Sequence, residues 1–201
     1  MSPKAKVQVT SKGYSLLEVL AVISIMLIVG GAAVAMGHSG AERARASGAA
    51  NYLAGRLAVA RLEAVRRSVN VALKFVPTAG GYSLRTYADG NDNGVLTRDI
   101  ASGIDPPISP EEHIDHHFSG VTFGILPNVT AIDPSDPFNP NDPIQIGPST
   151  LVSFGPTGSS TSGTLFLRGS GGHQLAVRLL GITGRTRILR FNFVEGRWFT
   201  H

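Results

Sequence analysis

Two arginines near the C-terminal end of the chain could bind an anion. The segment G-R-T-R at residues 184–187 places Arg185 and Arg187 two positions apart. In a β-strand this spacing puts both side chains on one face and sends Arg190 to the other. A guanidinium presents a planar fork of N–H donors that fits a phosphate group. The pattern predicts a small phosphate-binding face of weak, salt-sensitive affinity, and arginines that only protect a strand edge are the alternative.

A run of oxygen-bearing side chains lies in D-G-N-D-N-G, residues 89–94. Such side chains at alternate positions resemble the start of a calcium loop, in which oxygen ligands surround a hard cation. An EF-hand requires a glutamate at the twelfth position, where this chain has Ile100. Because D-G and N-G pairs form turns without any ligand, the sequence favours a β-turn between Tyr87 and Val95. Calcium is the alternative and the one cofactor left open, with the ligands Asp89, Asn91, Asn93 and Asp99.

Three histidines and Asp115 occur in H-I-D-H-H, residues 113–117. On a helix, His113 and His117 would share a face and could bind a metal ion together. The prolines nearby favour a loop with solvated histidines instead. Elsewhere, the serines beside glycines lack the G-x-S-x-G arrangement, and no pair of carboxylates stands in a recognisable catalytic frame. The chain is therefore expected to have no enzymatic activity.

Composition limits both the partners and the sources of stability. The 201 residues contain no cysteine, which excludes disulfides and thiolate metal sites. The formal charge is +4, but Lys4, Lys6 and Lys12 lie at the N-terminal end, and without those three charges the remainder carries +1. Overall basicity is thus weak evidence for a nucleic-acid partner, and that argument must rest on a local cluster.

Glu18 is the one charged residue of an apolar segment, residues 14–36. As a helix, these 23 residues would extend roughly 34 Å and could cross the hydrocarbon core of a bilayer. Lysines precede the segment and none follows closely, so the positive-inside rule places the N-terminus in the cytoplasm. The sequence therefore predicts a single-pass transmembrane helix, and its carboxylate is costly unless a cation lies close.

Two ordinary interpretations of this segment leave the carboxylate without a partner. A plain signal anchor would tolerate Glu18 near the membrane interface. A secretory signal could be cleaved after A-V-A at residues 33–35, although the apolar run is longer than such signals have and contains an acid. Neither interpretation explains why a glutamate stands at this position.

The segment K-G-Y-S-L-L-E, residues 12–18, resembles the signal of type IV prepilins and pseudopilins. In that signal a basic leader and a glycine precede an aromatic residue and a glutamate at the fifth mature position. The resemblance implies that prepilin peptidase cleaves between Gly13 and Tyr14 and that the new amine of Tyr14 is N-methylated. It also implies that Glu18 meets the N-terminal amine of a neighbouring subunit during assembly.

Elements further along the chain must position Arg185, Arg187 and the acidic loop, which is the D-G-N-D-N-G segment at residues 89–94. Residues 37–69 have apolar positions at helical spacing, Leu53, Leu57, Ala60 and Ala64, with arginines largely off that stripe, which predicts an amphipathic helix packed on the following domain. Short apolar or alternating runs separated by Gly, Pro, Asn and Asp then predict an antiparallel β domain. The predicted strands are residues 71–75, 82–87, 121–125, 151–154, 164–168, 174–180, 185–192 and 197–200, with proline-rich loops at 105–110 and 133–148.

Several segments together are similar to the GspH/FimT family of minor pseudopilins. They are the helix text at residues 53–67, V-x-V-A-L at 69–73, F-G-P-T-G-S at 154–159 and T-G-R-T-R-I at 183–188. The resemblance implies an α+β, type IV pilin-like fold, in which a long N-terminal transmembrane and amphipathic helix packs on a C-terminal antiparallel two-sheet β domain. The implied division is a leader at 1–13, a transmembrane helix at 14–36, its amphipathic continuation at 37–69 and an extracytoplasmic domain at 70–201.

The same resemblance implies a structural role. A minor pseudopilin of a type II secretion system would sit in the bacterial inner membrane, with a periplasmic C-terminal domain, and join the priming or tip complex of the pseudopilus. Its partners would be other minor and major pseudopilins, prepilin peptidase and the inner-membrane assembly platform. The alternative is a type IV pilus minor pilin that contacts DNA through Arg185 and Arg187 during uptake. A third interpretation is a signal-anchored solute-binding or enzymatic domain.

Overall fold

The computed structural model describes residues 13–147 and 149–200, with side chains except at positions 32–39. Most of the predicted leader, residues 1–12, lies outside the described residues. The chain divides into two compact units, residues 1–40 and 41–201. The first helix, α1, spans Leu16–Arg67, 52 residues. The glycines at 30, 31, 37 and 40, each of which lowers helix propensity by about 1 kcal/mol, do not interrupt it.

The first unit exposes large apolar side chains along its helix. Leu16 and Leu17 are about four-fifths exposed, and Leu27 and Ile28 are more than two-thirds exposed. The hydroxyl of Ser24 donates to the Leu20 carbonyl at 2.8 Å, which satisfies that polar group within the helix. Within the described ranges, no helix meets the length and hydropathy expected of a membrane-spanning segment. The assignment of residues 14–36 as a transmembrane helix stays a prediction. The structure does not describe the side chains of residues 32–36.

In the second unit, α1 packs through a stripe of small residues and leucines. The predicted positions Leu53, Leu57, Ala60 and Ala64 are all buried, which confirms the amphipathic stripe, and it begins earlier, at Ala46. Because alanine has no side chain beyond Cβ, the helix backbone can approach the sheets closely.

The rest of the second unit is mainly antiparallel β-structure. Its elements are β1 Val71–Thr78, β2 Gly81–Ala88, α2 Thr97–Ser102, β3 Glu112–His113, α3 Ile114–His117, β4 Val121–Phe123, β5 Ile144–Gln145, β6 Leu151–Phe154, β7 Gly163–Gly169, a 3-10 turn at Ser170–Gly172, β8 His173–Leu180, β9 Arg185–Asn192 and β10 Arg197–Thr200. All eight predicted strands are present. The two-residue strands β3 and β5 were not predicted, and β5 interrupts a segment predicted to be loop.

Two antiparallel sheets confirm the α+β, two-sheet prediction. One has the order β3-β2-β1-β6, and the other has the order β10-β9-β8-β7-β4 with β5 paired to β7. The alanine and leucine stripe of α1 belongs to a core with Leu73 and Phe75 of the first sheet and Leu165 and Val177 of the second. The opposite face of the second sheet carries Arg178 and Arg187, which are directly paired across β8 and β9.

Candidate functional site

Glu18 lies in the first turn of α1. Its backbone N–H donates to the Ser15 hydroxyl at 3.2 Å, so Ser15 caps the helix start. Tyr14 is 82% exposed, and Glu18 is the one charged residue between positions 13 and 31. No side chain within residues 13–31 carries a positive charge, so a cation that balances this carboxylate must come from a freed N-terminal amine, from elsewhere in the chain or from another molecule.

Three segments of the β domain and helix meet at one junction, formed by Arg61, Gly158 and Gly184. The Arg61 Nε donates to the Gly158 carbonyl at 2.8 Å. Gly184 is buried with φ of +59°, and a Cβ there would lie 2.6 Å from the Gly158 oxygen and 2.8 Å from Arg61 Nε. The glycine of G-R-T-R is thus required by close backbone packing, independently of any ligand.

Arg185 and Arg187 lie on one face of β9, as predicted, and both side chains are exposed. Arg187 pairs with Arg178 and Arg185 with Leu180 of β8. Within residues 41–147 and 149–200, neither guanidinium has an ion-pair partner, whereas Arg178 binds the Asp136 carboxylate at 2.6 Å. Arg190 points to the opposite face, because its partner across the sheet is the core residue Leu175. Among the residues that the structure describes, Arg185 and Arg187 therefore offer two guanidinium groups without an ion-pair partner, beside the neutralised Arg178.

A groove of about 680 Å³ adjoins these arginines, with Arg178 and Asp136 among its lining residues. Aromatic rings form part of this side of the sheet, where Phe166 lies 5.8 Å from both Phe138 and Trp198 between centroids. The Trp198 indole donates to the Thr130 carbonyl at 2.9 Å, which holds β10 against the loop between β4 and β5. The groove carries no cluster of catalytic groups among the side chains the structure describes.

The acidic loop folds around its own carboxylates. Asp89 accepts hydrogen bonds from the backbone N–H groups of Asn91 at 3.1 Å and Gly94 at 2.7 Å, and from the Asn70 amide at 3.0 Å. Burial acts to raise the pKa of Asp89, but these hydrogen bonds outweigh it and hold the pKa below its ordinary value. The segment between Tyr87 and Val95, where the sequence favoured a β-turn, bends at residues 90–93 and leads into α2.

Asp105, which follows α2, has a structural role that the sequence did not predict. It is fully buried, and its two oxygens accept the backbone N–H groups of Gly90 at 3.1 Å and Leu96 at 2.9 Å. No local pattern links Asp105 to residues so far away along the chain. Gly90 fits here because a Cβ would lie 2.0 Å from the Ile104 carbonyl oxygen.

The predicted calcium ligands occupy different surroundings within this loop. Asn93 donates its amide to Asp99 at 3.0 Å, Asn91 is exposed, and Asp89 is engaged by backbone donors. Among the described histidines and acidic residues, the group compact enough to hold a metal lies elsewhere, at His113, Asp115 and His116. The calcium site at Asp89, Asn91, Asn93 and Asp99 stays a prediction.

The H-I-D-H-H segment is a short strand followed by one helical turn, so its assignment as a loop is wrong. His113 ends β3 in an extended conformation, which separates it from His117 on α3. The ring of His117 packs on Tyr52 at 5.1 Å between centroids. The residue that joins His113 is instead His116, at 4.7 Å.

A comparison with protein families gives one match. A family model described as type II transport protein GspH matches residues 49–183. The match includes Arg61 and Gly158 of the junction and ends before Gly184 and the arginine pair. Comparison with curated proteins and with solved structures gave no match.

Proposed function

This chain belongs to the GspH family of type II transport proteins, and we propose that it is a minor pseudopilin of a type II secretion system. In this role it is a structural subunit of the priming or tip complex of the periplasmic pseudopilus, anchored in the bacterial inner membrane by residues 14–36. It acts through contacts with other minor and major pseudopilins and catalyses no reaction. Prepilin peptidase removes residues 1–13, and the amine of Tyr14 is methylated.

The exposed apolar helix of the first unit carries this proposal. Side chains such as Leu16, Leu17 and Ile28 are unfavourable in water and require lipid or neighbouring helices around them. A second exposed stripe on α1, formed by Val59, Leu62 and Val65, lies outside the core of the β domain. Both surfaces suit a subunit that packs its helix against other helices.

The mass of the mature chain tests the processing step. The full chain, expressed with its own secretion genes and isolated from membranes, should begin at Tyr14 and carry one added methyl group. Gly13→Leu should leave the full-length mass, because the glycine is part of the prepilin-type signal that residues 12–18 resemble. A wild-type chain that keeps residues 1–13, or that is cleaved after Ala35, would contradict the proposal.

We predict that Glu18→Ala lowers co-isolation with the other pseudopilins by at least about tenfold. The substitution would leave the N-terminal amine of the neighbouring subunit without its carboxylate partner, and an unpaired charge in a low-dielectric environment costs several kcal/mol. Processing at Gly13 should continue, because the cut lies outside the substitution. Ser24→Ala is the matched control, as its hydroxyl bonds within the helix. Equal co-isolation of the Glu18→Ala chain and the wild type would exclude the proposed role of this carboxylate.

One observation favours the alternative role as a DNA-contacting minor pilin. Arg185 and Arg187 are exposed, and within the described part of the chain their guanidinium groups have no ion-pair partner. A phosphate backbone could contact both, and Asp136 limits the contribution of Arg178. Under this alternative, the chain belongs to a type IV pilus and takes part in DNA uptake. Calcium binding in the acidic loop is compatible with either role.

Salt-dependent DNA binding tests this alternative with three variants of the full chain. Arg185→Ala with Arg187→Ala should remove binding, whereas Arg43→Ala with Arg98→Ala, two exposed arginines elsewhere, should leave it. Asp136→Asn should tighten binding and steepen the dependence of log affinity on log salt by about one unit, because Arg178 becomes available. Fluorescence anisotropy across salt concentrations measures all three. If the double arginine variant binds DNA as the wild type does, the alternative role loses its support and the secretion role remains.

A further inference from the structure

We propose that His113, Asp115 and His116 form a binding site for a divalent transition-metal ion, best matched by zinc. One ligand atom from each residue lies within 4.8 Å of those of the other two. Zinc bonds such atoms at about 2.0–2.2 Å, so three ligands of one ion must lie within roughly 4 Å of one another. The cluster is therefore close to a binding arrangement, and small side-chain rotations complete it.

The backbone beneath the cluster is fixed from several directions. His113 pairs with Ser83 of β2, and the next residue, Ile114, is 1% exposed and anchors the chain in the core. The Phe118 N–H donates to the Ile114 carbonyl at 2.9 Å and closes the turn. Because the three ligand-bearing positions are held in place, metal binding needs little ordering of the chain.

The three side chains are available, unlike their neighbours. Glu112 accepts the Tyr52 hydroxyl at 2.6 Å and pairs with Arg56 at 2.8 Å, and His117 packs on the Tyr52 ring. Across the ranges described, no hydrogen bond or ion pair engages the side chains of His113, Asp115 or His116. The neighbours thus stabilise the surroundings and leave three donors for a cation.

The donor set selects the class of metal. Two imidazole nitrogens and one carboxylate oxygen suit zinc, nickel, cobalt or copper, whereas calcium and magnesium prefer oxygen ligands throughout. Three protein ligands leave a fourth tetrahedral position. Since His116 is exposed, water or a donor from another molecule can reach that position. The site lies at the β3 edge of the first sheet, whereas Arg185 and Arg187 lie on the second sheet.

Calorimetric titration with zinc tests the site on the full chain, without a histidine tag, stripped of metal and kept in detergent because of its exposed apolar helix. One zinc ion should bind per chain, and excess calcium or magnesium should not displace it. Asp115→Asn and His116→Asn should each weaken affinity at least about tenfold, since even outer-shell substitutions at metal sites cost that much. His173→Asn, outside the cluster, is the matched control and should bind as the wild type does.

Three results would overturn the metal site. They are the absence of stoichiometric zinc binding by the wild type, binding of unchanged affinity in both cluster variants, and equal displacement by calcium. Circular dichroism of each variant establishes that the fold is intact. Because the proposed secretion role does not require a metal, failure of this test leaves that role untouched.

Discussion

Replacing Asp105 with asparagine should lower the free energy of unfolding by about 2–4 kcal/mol. The side chain is fully buried, and its two oxygens accept the N–H groups of Gly90 and Leu96. Asparagine keeps one acceptor and places an NH₂ donor against the other backbone donor. A buried donor without an acceptor costs about 1–3 kcal/mol, and hydrogen bonds to a charged oxygen are stronger than those to an amide oxygen.

Urea unfolding of the full chain in detergent, followed by tryptophan fluorescence, measures this loss. Asp92→Asn is the matched control, because Asp92 is exposed in the same loop and has φ of +61°, which asparagine tolerates. The control should change stability by less than about 0.5 kcal/mol. If both variants lose the same small amount, Asp105 does not hold the loop together.

The second large effect is expected from Gly184→Ala, which should cost about 2–4 kcal/mol of folding stability. One contribution is backbone strain at φ of +59°, about 1–2 kcal/mol for a residue with a Cβ. The other is overlap with the Gly158 carbonyl oxygen, 2.6 Å from the Cβ position. Because the Gly158 oxygen belongs to the backbone and a Cβ cannot rotate away from it, the backbone at the junction must shift to relieve the overlap.

Gly196→Ala separates these two contributions. Gly196 has φ of +64° and no atom within 4 Å of a Cβ, so it carries the strain without the overlap. The Gly184 variant should therefore unfold at lower urea concentration than the Gly196 variant. Equal losses of stability in the two variants would show that the junction accommodates the extra Cβ without an added cost. Any loss of DNA binding in Gly184→Ala must be judged against this loss of stability, because the glycine has a structural role of its own.

Periodicity predicted the parts of the fold that repeat along the sequence. The buried stripe of α1 follows from helical spacing, and the shared face of Arg185 and Arg187 follows from strand alternation. The strands β3 and β5 have two residues each, which is too short for any period to show. Helix α2 begins after Leu96 without a side-chain cap, so the usual start signal is missing.

Site residues that depend on distant contacts could not be predicted in the same way. Asp105 matters because it meets Gly90 and Leu96, and Arg178 is neutralised by Asp136, which is 42 positions away. The spacing of His113 and His117 predicted a metal pair only for a continuous helix. The chain changes from strand to helix between them, so the nearby ligands became Asp115 and His116.

The alanine stripe of α1 also limits how this protein can diverge during evolution. Positions such as Ala46, Ala49 and Ala64 have no exposed surface, and a larger side chain there would push the helix from the sheets. The outward positions Val59, Leu62 and Val65 have no such constraint within the fold. A lineage can therefore exchange its assembly partners through one side of the helix while the other side stays almost unchanged.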